Sequence, residues 1–137
     1  MRAANYSAIN IFNQDQIKEI NSAIRSNFVE GKDNFATKSN KTSDVKFVYY
    51  GSIQKYILPF VDFCFTSNNN YFGFDLYPLT NLKKLNYNIY DKGQEYSWHI
   101  DATPGNPVRD IKLTALLNLS EEKYEGGELS LFRANEF

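Results

Sequence analysis

The sequence predicts a single α+β domain, and three observations carry that reading. Two stretches in the first half repeat apolar residues at helical spacing, around residues 17–28 and 53–65. Three stretches in the second half alternate apolar and polar residues with period two, the pattern of strands with two unlike faces. The length of 137 residues suits one domain with a real core, and neither a linker nor an internal repeat marks a second. Residues 1–82 form the N-terminal helical support and residues 83–137 the strand-rich part.

The elements follow in order. Tyr6 to Phe12 is a short strand candidate. Asn13 suits a helix cap before Gln14, because its side chain can accept from the first free backbone N–H groups. Ile17, Ile20, Ala23, Ile24 and Phe28 then line one face, and Gly31 is the natural stop. This helix is expected to pack on the domain's own sheet, although a partner-binding helix would show the same pattern. Lys32 to Asp44 is polar, with Phe35 as its one apolar anchor, and reads as a solvated loop before the strand Val45 to Tyr50.

Ser52 to Asn69 is the second helix, burying Ile53, Tyr56, Ile57, Phe60, Val61, Cys64 and Phe65. Pro59 inside it requires either a kink or a new helix start. Ser67 to Asn70 ends the helix, Tyr71 to Leu76 is a strand candidate, and Pro78 begins a turn. Cys64 reads as a packed core thiol.

The second half is organised around Leu85 to Phe132. Leu85, Tyr87 and Ile89 oppose Asn86, Asn88 and Tyr90. Asp91-Lys92-Gly93 is a hairpin turn. Tyr96, Trp98 and Ile100 then oppose Ser97, His99 and Asp101, so the first three are expected beneath the helices. Residues 103–108 are a loop. Ile111, Leu113, Ala115, Leu117 and Leu119 oppose Lys112, Thr114, Leu116, Asn118 and Ser120. The paired Gly126 and Gly127 suit a turn at positive φ before a last strand, Leu129 to Phe132. Such a sheet has either one solvated face or a polar face that lines a pocket.

His99 is the only histidine in the chain. Two residues apart on a strand, His99 and Asp101 share a face. They offer an imidazole nitrogen and a carboxylate oxygen to one point, two of the three ligands of a 2-His-1-carboxylate Fe(II) site. An HxD triplet alone is usually incidental; its surroundings raise its weight here.

Those surroundings are Tyr90-x-x-Gly93-x-x-Tyr96-x-x-His99-x-Asp101, then residues 109–114 (RDIKLT), Leu119-Ser120, and Tyr124-Glu125-Gly126-Gly127-Glu128-Leu129. In this order they resemble the 2-oxoglutarate/Fe(II)-dependent dioxygenases, and within them the prolyl-4-hydroxylase-like branch with its PKHD-type hydroxylases. The resemblance implies a double-stranded β-helix (jelly-roll) core with the N-terminal helices packed on its major sheet. It implies Fe(II), 2-oxoglutarate as cosubstrate and O2, with ascorbate as a candidate accessory reductant, and hydroxylation of a substrate C–H bond.

Carried over by resemblance, His99 and Asp101 are iron ligands. Tyr90 matches a tyrosine that lines the cosubstrate pocket, with a half-buried cross-strand aromatic as the plain alternative. Asn118 lies on a strand where some relatives place another cosubstrate contact. Arg109 either faces substrate or pairs with a carboxylate such as Asp110. Glu125 and Glu128 flank the Gly-Gly turn and are expected to face solvent. The family also places a second histidine and a basic 2-oxoglutarate clamp on late strands, and this chain contains no second histidine. The expectation is therefore an N-terminal fragment lacking the C-terminal strands, with weak metal binding and no turnover by itself. Its open strand edges offer pairing with a second copy, a homodimer.

The alternative reading is a non-catalytic jelly-roll binding module that needs neither His99 nor Asp101. A cupin is a further β-barrel reading, but its metal sites carry more histidines than this chain holds. The net charge of −1 argues against nucleic acid or acidic membranes as partners, leaving a protein, peptide or small-molecule substrate. One cysteine excludes an internal disulfide. No run approaches the roughly 18 apolar residues of a membrane span, and the first residues lack the apolar core of a signal peptide. A cytoplasmic location is expected.

Overall fold

The fold comes from a computed structural model in which residues 6–32, 41–101 and 111–131 are described. The elements run α1 (Gln14–Arg25), β1 (Phe28–Val29), β2 (Asp44–Tyr49), α2 (Tyr50–Ser67), a π-helical turn (Asn68–Phe72) and β3 (Lys84–Ile89). The class is α+β, as the sequence predicts. Among the described residues the strands form one antiparallel sheet in the order β1-β2-β3.

α1 starts at a full capping box. The Asn13 side chain accepts from the Gln16 backbone N–H at 2.9 Å, and the Gln16 side chain accepts from the Asn13 N–H at 3.0 Å. The helix stops at Arg25, six residues before Gly31. Ser26 Oγ donates to the Ser22 carbonyl and Asn27 Nδ2 to the Ala23 carbonyl. These side chains satisfy the helix's last acceptors, and Phe28–Val29 leaves as β1.

α2 continues unbroken through Pro59. The proline lies on the exposed side, where water can reach the Lys55 carbonyl left without its helical donor. The polar tract that follows ends the helix in a specific way. Buried Asn68 accepts from the Phe74 N–H at 3.0 Å and donates to the Phe74 carbonyl at 2.8 Å. Gly73, at φ 65°, donates to the Asn68 carbonyl and closes the turn.

β2 is the central strand. Val48 pairs with Phe28 on one side and Leu85 on the other, and Lys46 and Asp44 pair with Tyr87 and Ile89. The pleat puts Val48, Leu85 and Tyr87 on one face, against α1 and α2. There Ile20, Ile24, Val48, Tyr50, Ile53 and Ile57 form the buried core, joined at its border by Leu117 and Leu119. Each fully buried isoleucine or valine contributes about 1.5–3 kcal/mol over its exposed state. The predicted alternation of β3 is observed: Leu85, Tyr87 and Ile89 are half-buried, and Asn86, Asn88 and Tyr90 are exposed.

Several expected strands are not paired. Tyr6 to Phe12 and Tyr71 to Leu76 form no strand, the second because the π-helical turn takes up Tyr71 and Phe72. Residues 111–120 keep the predicted parity only in part: Leu113, Leu117 and Leu119 are half-buried, but Ile111 and Ala115 are exposed, and the segment has no ladder among the described residues. A backbone becomes a strand only where a partner accepts its hydrogen bonds. The loop at 103–108, the anchor Phe35 and Phe132 lie outside the described residues.

Candidate metal site

β3 leads to the site through the predicted turn. Gly93 sits at φ 81°, Gln94 N donates to the Asp91 carbonyl at 3.0 Å, and Asp91 N donates to the Gln94 side chain at 2.8 Å. The returning chain is caught by the segment just before β2. Thr42 N donates to the Glu95 carbonyl at 3.0 Å, Glu95 N donates to Thr42 Oγ1 at 2.9 Å, and Lys41 bridges Tyr96 in antiparallel fashion. This clamp delivers residues 96–101.

His99 Nδ1 lies 2.7 Å from the Ser97 carbonyl. A carbonyl can only accept, so Nδ1 carries the proton and the neutral ring keeps its lone pair on Nε2. Nε2 lies 3.1 Å from Asp101 Oδ1. The other carboxylate oxygen, Oδ2, accepts from Thr114 Oγ1 at 2.5 Å. In that tautomer Nε2 and Oδ1 turn lone pairs toward one another, an arrangement that a metal ion held between them satisfies. Donors bound at about 2.0–2.2 Å and 90° apart on a metal lie roughly 3.0 Å from each other. The observed separation fits that arrangement.

The outer partners fit it too. Metal-bound histidines donate their second N–H to a carbonyl or carboxylate, and bound carboxylates are themselves hydrogen-bonded. Ser97 and Thr114 supply those two bonds. The side chains of His99 and Asp101 are 32% and 41% exposed, so an ion can reach both from solvent. Among the described residues no cluster of three or more His, Cys, Asp or Glu side chains converges. The described donors are thus two ligands, not three.

The parity expected of this segment is corrected. Trp98 and Ile100 do not pack beneath the helices; they are 70% and 83% exposed. Tyr96 turns against the site, its ring stacked on His99 with centroids 3.7 Å apart and planes 11° from parallel. Among the described residues pairing is limited to the single bridge at Tyr96, and past it no ladder enforces alternation.

Tyr90 is 47% exposed at the end of β3. Asn118 uses its amide locally, donating to Tyr124 Oη at 2.5 Å and accepting from Ser120 N at 3.0 Å. Glu125 and Glu128 are exposed, as expected. Arg109 and Asp110 lie outside the described residues. Thr114 is the contact that sequence reasoning missed, although the alternation of residues 111–120 already placed it on the polar face.

Residues 85–136 match the family model of the 2OG-Fe(II) oxygenase superfamily. The match supports an oxygenase of this superfamily. It includes His99, Asp101 and Thr114 and spans less than half of the chain. In general terms it implies an oxidoreductase that uses Fe(II), 2-oxoglutarate and O2. No curated protein and no solved structure matches the chain significantly. Among the described residues no helix is long and apolar enough to cross a membrane.

Proposed function

We propose that the chain carries two of the iron ligands of a prolyl-4-hydroxylase-like, 2-oxoglutarate-dependent dioxygenase. The observation that carries this reading is the approach of His99 Nε2 and Asp101 Oδ1 to 3.1 Å, each fixed by an outer hydrogen bond, inside the matched segment. When bound, Fe(II) supplies the oxidation in which 2-oxoglutarate and O2 yield succinate and CO2 and a substrate C–H becomes C–OH. His99 and Asp101 hold the metal, and Thr114 fixes which carboxylate oxygen faces it. Tyr90 and Asn118 are assigned to the cosubstrate and Arg109 to the substrate, a protein, peptide or small molecule. Ascorbate is the candidate accessory reductant.

Residues 1–137 belong to one such domain in this reading, with 1–82 as the helical support and 83–137 as the first strands of a double-stranded β-helix. Leu117 and Leu119 already meet the core, which supports residues 111–120 as a barrel strand. The outer edge of β3 is where a second copy would pair, since β3 pairs only with β2 among the described residues.

An anaerobic Fe(II) titration by calorimetry tests the proposal. Wild-type chain is expected to bind one ion, more tightly with 2-oxoglutarate present, and His99→Ala and Asp101→Ala are expected to lose that binding. Equal binding by all three proteins would sink the dioxygenase reading and favour the binding module.

A further inference from the structure

We propose that Tyr96 is a positioning residue for the metal ligand His99, held in place by Lys41 and Thr42 from the segment before β2. The inference rests on the metal-site reading above. An imidazole ligand must be fixed in two ways. Rotation within the ring plane decides where Nε2 points, and tilt of the plane decides whether its lone pair meets the ion. The Ser97 carbonyl, 2.7 Å from Nδ1, fixes the first. The Tyr96 ring, stacked at 3.7 Å and 11°, fixes the second. Stacking occupies the face of the imidazole and leaves its edge, where Nε2 lies, open to an ion.

Tyr96 can serve only if it is itself fixed. Its backbone bridges Lys41, the preceding Glu95 is bonded to Thr42 through both N–H and carbonyl, and the Lys41 ammonium lies 4.9 Å from the Tyr96 ring centroid. Lys41 is buried, at 9% exposure. By contrast, the neighbours Trp98 and Ile100 are exposed and give the segment little packing. Residues about 55 positions earlier in the chain thus set the tilt of the ligand through one aromatic ring.

His99 is the chain's only histidine, which makes a direct test available. Its imidazole C–H signals are read by two-dimensional NMR in wild type, Tyr96→Phe and Tyr96→Ala, with His99→Ala for assignment. Co(II) affinity is measured on the same four proteins. An upfield ring-current shift of the imidazole protons is expected in wild type and Tyr96→Phe and not in Tyr96→Ala. Co(II) binding is expected to weaken about tenfold in Tyr96→Ala and to be retained in Tyr96→Phe. A merely structural tyrosine would not move the His99 signals. Imidazole signals or Co(II) affinity unchanged in Tyr96→Ala overturn this inference alone. If wild type and His99→Ala treat Co(II) alike, the metal-site reading falls and this inference falls with it.

Discussion

Asn21 is 1% exposed on α1 and holds three chain segments together. Its Nδ2 donates to the Leu119 carbonyl at 2.8 Å and to Glu121 Oε1 at 2.9 Å, and its Oδ1 accepts from Tyr87 Oη at 2.9 Å. Glu121 is also paired with Arg25 at 3.1 Å. Asn21→Ala strands half-buried partners and is expected to cost about 1–3 kcal/mol in urea unfolding; a change below about 0.5 kcal/mol would show that water replaces the amide. Thr114 makes the complementary case, being exposed. Thr114→Val removes the donor to Asp101 at nearly constant volume. Co(II) affinity is expected to fall about tenfold with the unfolding midpoint unmoved, while Thr114→Ser keeps both. Equal affinity in the valine variant would remove Thr114 from the site. The two residues differ in legibility. Thr114 could be read from alternation, since it shares the polar face of its stretch. Asn21 could not, because one asparagine beside Ile20 in an asparagine-rich chain looks like a solvated position, and its partners lie far away in sequence.

Among the elements, the two helices were the most legible, because their apolar spacing is continuous and the Asn13 cap is local. Asn13→Ala removes half of a capping box and is expected to destabilise the protein by about 1 kcal/mol. Thermal melts of Asn13→Ala and Asn13→Ser decide it, since serine should retain most of the cap. The sequence points to Gly31 as the end of α1; the helix ends at Arg25, and the structure gives that glycine another task. A Cβ on Gly31 would overlap the Phe47 ring, so the absent side chain lets β2's buried phenylalanine lie against the chain leaving β1. Gly31→Ala is expected to cost about 1–3 kcal/mol by overpacking, read as a lowered melting temperature. An unchanged melt would mean that Phe47 rotates away cheaply. The unpaired segments show the limit of periodicity. Alternation placed Leu117 and Leu119 toward the core but cannot supply the partner strand that a ladder needs. Past Tyr96, where pairing stops among the described residues, parity also fails for Trp98 and Ile100.

At the scale of the molecule, the α+β class was legible from short-range spacing; His99 and Asp101 do meet, but on a segment with no ladder among the described residues rather than on the strand expected. The clamp from Lys41 and Thr42 was not legible, since it depends on how a loop and a turn meet in space. A further whole-molecule property lies in Cys64, half-buried on α2 and outside the buried core expected of it. Burial pushes this thiol above its ordinary pKa, because the thiolate is poorly solvated there. Unfolding exposes the thiol and lets it ionise at lower pH. The contribution to stability is therefore intact below the ordinary thiol pKa and is lost as pH rises through that value toward the raised one. Two results are expected. Near pH 8, Cys64 reacts with a thiol reagent more slowly in the folded chain than in urea. Between neutral pH and pH about 10, wild type loses more stability than Cys64→Val, where tyrosine ionisation is common to both and cancels. Equal alkaline losses in the two proteins would mean that the thiolate is solvated in the folded chain, and that this face of α2 is open to water.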